Sequence, residues 1–211
     1  MPLLTNRFQP LLMIAVAALA LAGCNSNPLL VKRSPCPAVA VPVYANTLTL
    51  FRPDTAPDAE NVDLTATITN LRTDCVEAAA VISGTAQYDV IARRTDATEA
   101  RRVALPVFAS VVQGGNLIVS KQIGSVTLDF AAGQARAQTR SSVTGRVDRN
   151  EATLPAEITQ IINRKRRAGD PDAAVDPLAD PKVRAAMRAA RFEVLIGFQL
   201  SDAQLAYNVT K

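Results

Sequence analysis

From Pro37 to Val147 the chain reads as one β-patterned segment after another, short stretches rich in Val, Ile, Thr and Ala parted by turn residues. The clearest is Asn61 to Asn70, where Val62, Leu64, Ala66 and Ile68 alternate with Asp63, Thr65 and Thr67. A period of two sends successive side chains to opposite faces of a strand, so one face is buried and the other wet. Comparable runs are Ala38 to Tyr44, Thr47 to Phe51, Ala79 to Ala92, Val103 to Val112, Asn116 to Gln122, Gly124 to Phe130 and Ala135 to Val147. Turn signals fall between them at Pro53 to Pro57, Thr95 to Ala97, Gly114 with Gly115, and Gly133. Near the C-terminus, Phe192, Val194, Ile196, Phe198 and Leu200 form one apolar face of a further strand, and Leu195 adds burial on the other. A strand this apolar belongs in the middle of a sheet rather than at its edge.

Residues 150 to 190 interrupt the β pattern. Leu154, Ile158, Ile161 and Ile162 recur at helical spacing behind Pro155 at a first-turn position, which predicts a short amphipathic helix. Ala168 to Pro181, AGDPDAAVDPLADP, is too rich in Asp, Pro and Ala for regular structure and is expected to loop out as a flexible insertion. Lys182 to Arg191 is Ala-rich and basic and reads as a second short helix. Ser201 to Gln204, SDAQ, has the form of a capping box for a final helical turn reaching Asn208. Seven or eight strands followed by short C-terminal helices predict a mainly β (α+β) domain over residues 36–211. The expected architecture is an antiparallel β-sandwich broadly like the immunoglobulin or fibronectin type III arrangement. The chain has no Trp, so the antibody type of core is not expected.

The N-terminus carries an address. Arg7 precedes Leu11 to Ala22, LLMIAVAALALA, and small residues follow, which is the order of charged, apolar and cleavage regions in a secretory signal peptide, here residues 1–23. An apolar run of 12 residues is short of the roughly 20 that span a bilayer as a helix. Leu21, Ala22, Gly23 and Cys24 read LAGC and resemble the lipobox of bacterial prolipoproteins. That resemblance implies cleavage before Cys24, a diacylglyceryl group on its sulfur and acylation of the new amino group. Two or more acyl chains make anchoring stable where one is marginal. Asn25 rather than Asp after the cysteine implies, by the same resemblance, the periplasmic face of the outer membrane. Lipidation of Cys24 leaves Cys36 and Cys75 as a pair, and in an exported protein such a pair is predicted to form a disulfide. Two buried thiols and a redox-active pair are the alternatives, and the second lacks Cys-x-x-Cys spacing. Residues 24–35 then read as the lipidated end and a polar, Pro-bounded tether; Lys32 and Arg33 could contact anionic headgroups, but the plainer reading is a solvated linker.

Composition narrows the chemistry. The chain has no His, which removes the triads and dyads built on it and the commonest divalent-metal ligand. The net charge of +4 becomes +3 once residues 1–23, with Arg7 and no acidic side chain, are gone, and aromatic residues make up 4%. Neither suits a nucleic-acid surface. No phosphate loop, nucleophile elbow or metal-ligand cluster is present in the sequence, so no catalytic residue, metal or cofactor is expected. Asp54, Asp58 and Glu60 lack the spacing of a calcium loop and read as a solvated turn. The candidate binding residues are Arg164, Lys165, Arg166 and Arg167, an RKRR cluster able to contact an anionic ligand. The plainer reading is that they complement the negative end of the preceding helix dipole.

The start CPAVAV, the distant second cysteine and the ending GFQLSDAQLAYN resemble a group of uncharacterised alphaproteobacterial envelope lipoproteins over most of residues 36 to 208. The resemblance implies lipidation, the disulfide and a single domain, and it transfers no catalytic residue. Together these features predict a non-enzymatic, lipid-anchored envelope component that binds or scaffolds another envelope protein. A periplasmic ligand- or glycan-binding module is the alternative, poorly served by so few aromatic residues. A carboxylate-dependent hydrolase comes third.

Overall fold

The computed structural model describes residues 34–210. The expected signal peptide, the expected lipidation site Cys24 and the expected tether as far as Arg33 lie outside the described residues. Residues Pro35–Lys211 form a compact unit of their own, which holds the core and the disulfide found among the described residues.

Among the described residues, eight strands build two four-stranded sheets around one core. In chain order they are β1 (Ala38–Ala40), β2 (Thr47–Phe51), β3 (Val62–Glu77), β4 (Val81–Arg94), β5 (Arg101–Gln113), β6 (Leu117–Phe130), β7 (Arg136–Asp148) and β8 (Phe192–Phe198). One sheet has the order β1-β8-β5-β6 and the other β2-β3-β4-β7. Four α-helices follow β7: α1 (Arg149–Ala152), α2 (Ala156–Asn163), α3 (Pro181–Ala189) and α4 (Asp202–Thr210).

The β segments fall where alternation predicts them, with four differences. Asn116 to Gln122 and Gly124 to Phe130 are one strand, because Gly124 continues the ladder opposite Val107 instead of turning. β3 runs past Asn70 through a bulge between Thr69 and Arg72 and so includes Cys75, which the sequence places after its strand. The bulge requires a left-handed residue, and Asn70 (φ 52°) adopts that conformation more readily than most. β1 shortens to three residues, and its pairing with β8 is parallel, so the first sheet is mixed rather than wholly antiparallel. The insertion is not featureless either: Pro177–Ala179 forms a 3-10 turn capped by Asp176, and Asp180 caps α3 by accepting from the Lys182 and Val183 amides. β8 lies between β1 and β5, central as expected.

The segment β4 to β7 is a long two-stranded ribbon folded over on itself. β4 pairs with β7 from Val81–Asp148 to Arg93–Arg136, and β5 pairs with β6 from Arg101–Phe130 to Gln113–Leu117. Gly114 (φ 65°) and Gly115 (φ 85°) close its tip in conformations that favour glycine. Between the two ladders the chain crosses from one sheet to the other at residues 95–100 and again at 131–135. Arg94 sits at this crossing, 3% exposed. Its guanidinium donates from Nε to the Gln134 carbonyl at 2.9 Å, from Nη1 to Glu99 at 2.6 Å, and from Nη2 to Ala97 at 3.1 Å and Ala131 at 3.0 Å. It also lies 5.0 Å from the centre of the Phe130 ring. Arg101 and Asp63 add a two-pronged pair, both contacts 2.8 Å, that ties β5 to β3 beside it.

Cys36 and Cys75 are bonded, with a Cα–Cα distance of 6.1 Å. The bond joins the segment before β1, which belongs to one sheet, to β3 of the other. Closing a loop of this length stabilises by about 4 kcal/mol on the chain-entropy estimate. Two glycines let the sheets and the N-terminal segment approach. A Cβ on Gly145 of β7 would lie 2.5 Å from Val194 and 3.1 Å from Val111 of the opposite sheet, and one on Gly84 would lie 2.8 Å from Pro37. The C-terminus closes the other side. Ser201 and Gln204 form the reciprocal capping box, and Asn208, buried, donates to the carbonyls of Tyr44 at 2.8 Å and Thr47 at 2.7 Å.

Replacing Arg94 by Met removes the side-chain donor from four carbonyls at the crossing; Ala97 and Ala131 keep backbone donors from Gly133 and Gln134, whereas Glu99 and Gln134 lose theirs, and each unsatisfied group costs about 1–3 kcal/mol. Arg94→Met is therefore expected to lose about 3 kcal/mol or more of unfolding free energy in urea titration followed by circular dichroism, whereas Arg93→Met, on the exposed side of the same strand, is expected to stay within about 0.5 kcal/mol. Equal losses from the two substitutions are incompatible with the role given to Arg94.

Candidate interaction surface

β6 is the last strand of its sheet, and its two halves differ. Val126, Leu128 and Phe130 point into the core, but every residue from Leu117 to Ser125 is exposed. The core stops at Val126 because the inward positions that follow toward the ribbon tip are Gly124, Gln122 and Ser120, which have little to bury. What remains is a strand edge with Leu117 57%, Ile118 60%, Val119 46% and Ile123 65% exposed, and Lys121 the single charge among them. The Lys121 ammonium lies 5.4 Å from the centre of the Phe108 ring on β5. An edge of this kind offers unpaired N–H and C=O groups to any extended segment, with apolar side chains on both faces to hold it. Local alternation predicts two short strands with a break here, so the continuous edge is not visible in the sequence. The cue is a run without alternation, LIVSKQI, which fits a strand uncovered on both faces as well as one buried on both.

Beside this edge, a cleft of about 100 Å³ opens toward β7, with Ser120 and Gln122 on one wall, Thr144 and Arg146 on the other, and Val111, Gly145 and Val194 at its floor. A larger depression of about 390 Å³ lies along one face of α3, lined by Pro181, Arg184, Ala185 and Arg188. Both are lined without aromatic side chains.

The RKRR cluster follows the end of α2. Arg164 pairs with Asp172 at 3.0 Å and with Asp170 at 3.9 Å, Arg166 pairs with Asp172 at 3.4 Å, and the Arg167 amide donates to Asp170 at 3.0 Å. Arg166 also donates to the Ile161 carbonyl in the last turn of α2 at 3.4 Å. Two of the four cations are thus neutralised by aspartates of the insertion that follows them. That pairing is a tertiary fact, although the alternation of RKRR with nearby Asp is present in the sequence. Asp58, of the Asp54, Asp58 and Glu60 group, caps a 3-10 turn by accepting from the Asn61 amide.

The carboxylates with displaced pKa values are structural. Asp89, 4% exposed on the outer face of β4, accepts from Arg140 Nε at 2.8 Å and from Asn70 Nδ2 at 2.6 Å. The Arg140 hydrogen bond, then that of Asn70, holds its pKa below the ordinary 3.8 against the opposing effect of burial. Asp96 is lowered by hydrogen bonds from Thr98 at the ribbon crossing. A general acid needs the opposite displacement. Among the described residues no group of three or more His, Cys, Asp or Glu side chains is placed to hold a metal ion, and no helix is long and apolar enough to cross a membrane. No protein-family model, curated protein or solved structure matches the chain.

Because the folded-state pKa of Asp89 is depressed, the folded form binds the proton less readily than the unfolded chain. The resulting stability is present above the unfolded value near 3.8 and is lost as pH falls through the lower, folded value. Urea titrations across the acid range are expected to show Asp89→Asn less stable than the parent near neutrality, with a shallower loss on acidification. Parallel curves for the two proteins would remove Asp89 from the acid response.

Proposed function

We propose that this chain is a secreted, lipid-anchored component of the bacterial envelope, without enzymatic activity, that binds or scaffolds another envelope protein through the exposed edge of β6. Cys24 carries the lipid, residues 25–35 are the tether, and the periplasmic face of the outer membrane is the destination. The domain is an immunoglobulin- or fibronectin-III-like sandwich put to use as a docking module, in keeping with the resemblance to alphaproteobacterial envelope lipoproteins. The observation that carries the reading is the apolar stretch Leu117–Ile123 on a strand edge, where main-chain pairing supplies affinity and alternate side chains supply selectivity. Soluble domains ordinarily protect such an edge with several charges, a proline or a covering element, and here Lys121 stands alone. A ligand- or glycan-binding module draws less support, since neither depression combines enclosure with aromatic walls.

Two measurements test the reading. Radiolabelled palmitate is expected to enter the parent chain in cells and not Cys24→Ser; equal labelling of both rejects the anchor. A photo-crosslinking residue at Val119 is expected to give a discrete protein adduct in intact cells, one at Asp54 is expected to give none, and Ile118→Glu with Ile123→Glu is expected to abolish the adduct without lowering the melting temperature. Failure to form any adduct at Val119 rejects the β6 edge as the docking site.

A further inference from the structure

The outer face of the β2-β3-β4-β7 sheet carries arginines that its carboxylates do not absorb. In the β4–β7 register Arg93 lies directly opposite Arg136, Asp89 opposite Arg140 and Ser83 opposite Arg146, while Arg72 of β3 lies opposite Gln87. These positions share one face, because the alternate residues of β4, Ile82 to Arg94, line the interior. Asp89 is occupied by Arg140 and Asn70, and Asp74 accepts from Gln87 at 3.1 Å. Arg93, Arg136 and Arg146 are exposed, and none has an ion pair among the described residues. Like charges facing each other across a ladder cost stability, and a local rule broken without compensation marks a surface shaped by something outside the chain. Along β7 the arginine stripe from Arg136 to Arg146 extends roughly 33 Å, longer than a single small anion. Its neighbours Thr65, Thr67, Gln138 and Ser142 are hydrogen-bonding side chains with no ring for a base to stack on.

We propose that this face docks on the phosphates of anionic phospholipid headgroups, with Arg93 and Arg136 gripping one phosphate between them and Arg146 a second. Planar guanidinium forks match phosphate oxygens two at a time. The RKRR cluster, which the sequence singles out, is the weaker candidate because Arg164 and Arg166 are already paired with Asp172. The choice of lipid over another polyanion rests on the lipid-anchor reading, so the test uses a protein without Cys24 and the two ideas fail separately.

Residues Pro35–Lys211, which carry the whole core and the disulfide, are sedimented with vesicles of phosphatidylglycerol and, separately, of phosphatidylcholine. Partitioning is expected to phosphatidylglycerol only and to weaken with added salt. At about five-fold per arginine, Arg93→Gln with Arg136→Gln is expected to lower the partition coefficient roughly twenty-five-fold. The same variant is expected to melt no lower than the parent, since it removes a repulsion, which separates lost binding from lost folding. Lys165→Gln with Arg167→Gln is expected to bind as the parent does. Equal partitioning to both lipids overturns the proposal, as does an equal loss from the Lys165 and Arg167 variant. Displacement by excess inorganic phosphate at constant ionic strength also overturns it, since that identifies a small-anion site.

Discussion

A single buried guanidinium sets the geometry on which the two-sheet arrangement rests. The ribbon from β4 to β7 has to leave one sheet and enter the other twice within a short distance, and both crossings turn their carbonyls inward. Arg94 supplies four donors to those carbonyls, two from each crossing, and stacks on Phe130 at the end of β6. Burying a charge is costly unless its hydrogen bonds are met, and meeting them here fixes both loops relative to each other. The Asp63–Arg101 pair then fastens the start of β5 to β3 of the opposite sheet.

Once the ribbon is folded, the remaining elements close one side of the core and leave the other open. β8 inserts between β1 and β5, and the disulfide joins the segment before β1 to β3, spanning the two sheets. Asn208 and the edge-to-face contact of Tyr207 with Phe51 at 4.9 Å hold α4 against β2. On the opposite side β6 and β7 are the last strands of their sheets and lie beside each other. Gly145 lets the sheets approach closely there, so the core narrows and β6 outruns it. The exposed apolar edge therefore follows from where the core ends, and the same side of the domain presents both the β6 edge and the arginines of β7.

Charge divides in the same way. Several cations of the domain are spent internally: Arg94 on carbonyls, Arg101 on Asp63, Arg140 on Asp89, Arg164 and Arg166 on the insertion's aspartates. A run of four basic residues drew attention in the sequence because it is contiguous, yet contiguity in sequence brought its own counter-ions close behind. Arg93 and Arg136, neither in an ion pair among the described residues, are far apart in the chain and become neighbours through strand register.

The sequence by itself determined the element types, most of their boundaries, the central position of β8, the capping box at Ser201 and the pairing of Cys36 with Cys75. These follow from local periodicity, cap chemistry and cysteine arithmetic, each acting over a few residues or by elimination. It also held a clue to Arg94, which continues the inward parity of Ile82, Ala86, Tyr88, Val90 and Ala92 and so places a charge on an apolar face. Only the tertiary structure decided that Leu117 to Phe130 is one strand, that β1 joins β8 in parallel, and that Arg93 meets Arg136. Those outcomes depend on which strands become neighbours and in what register, and pairing energies between distant segments leave no trace in the local pattern of either one.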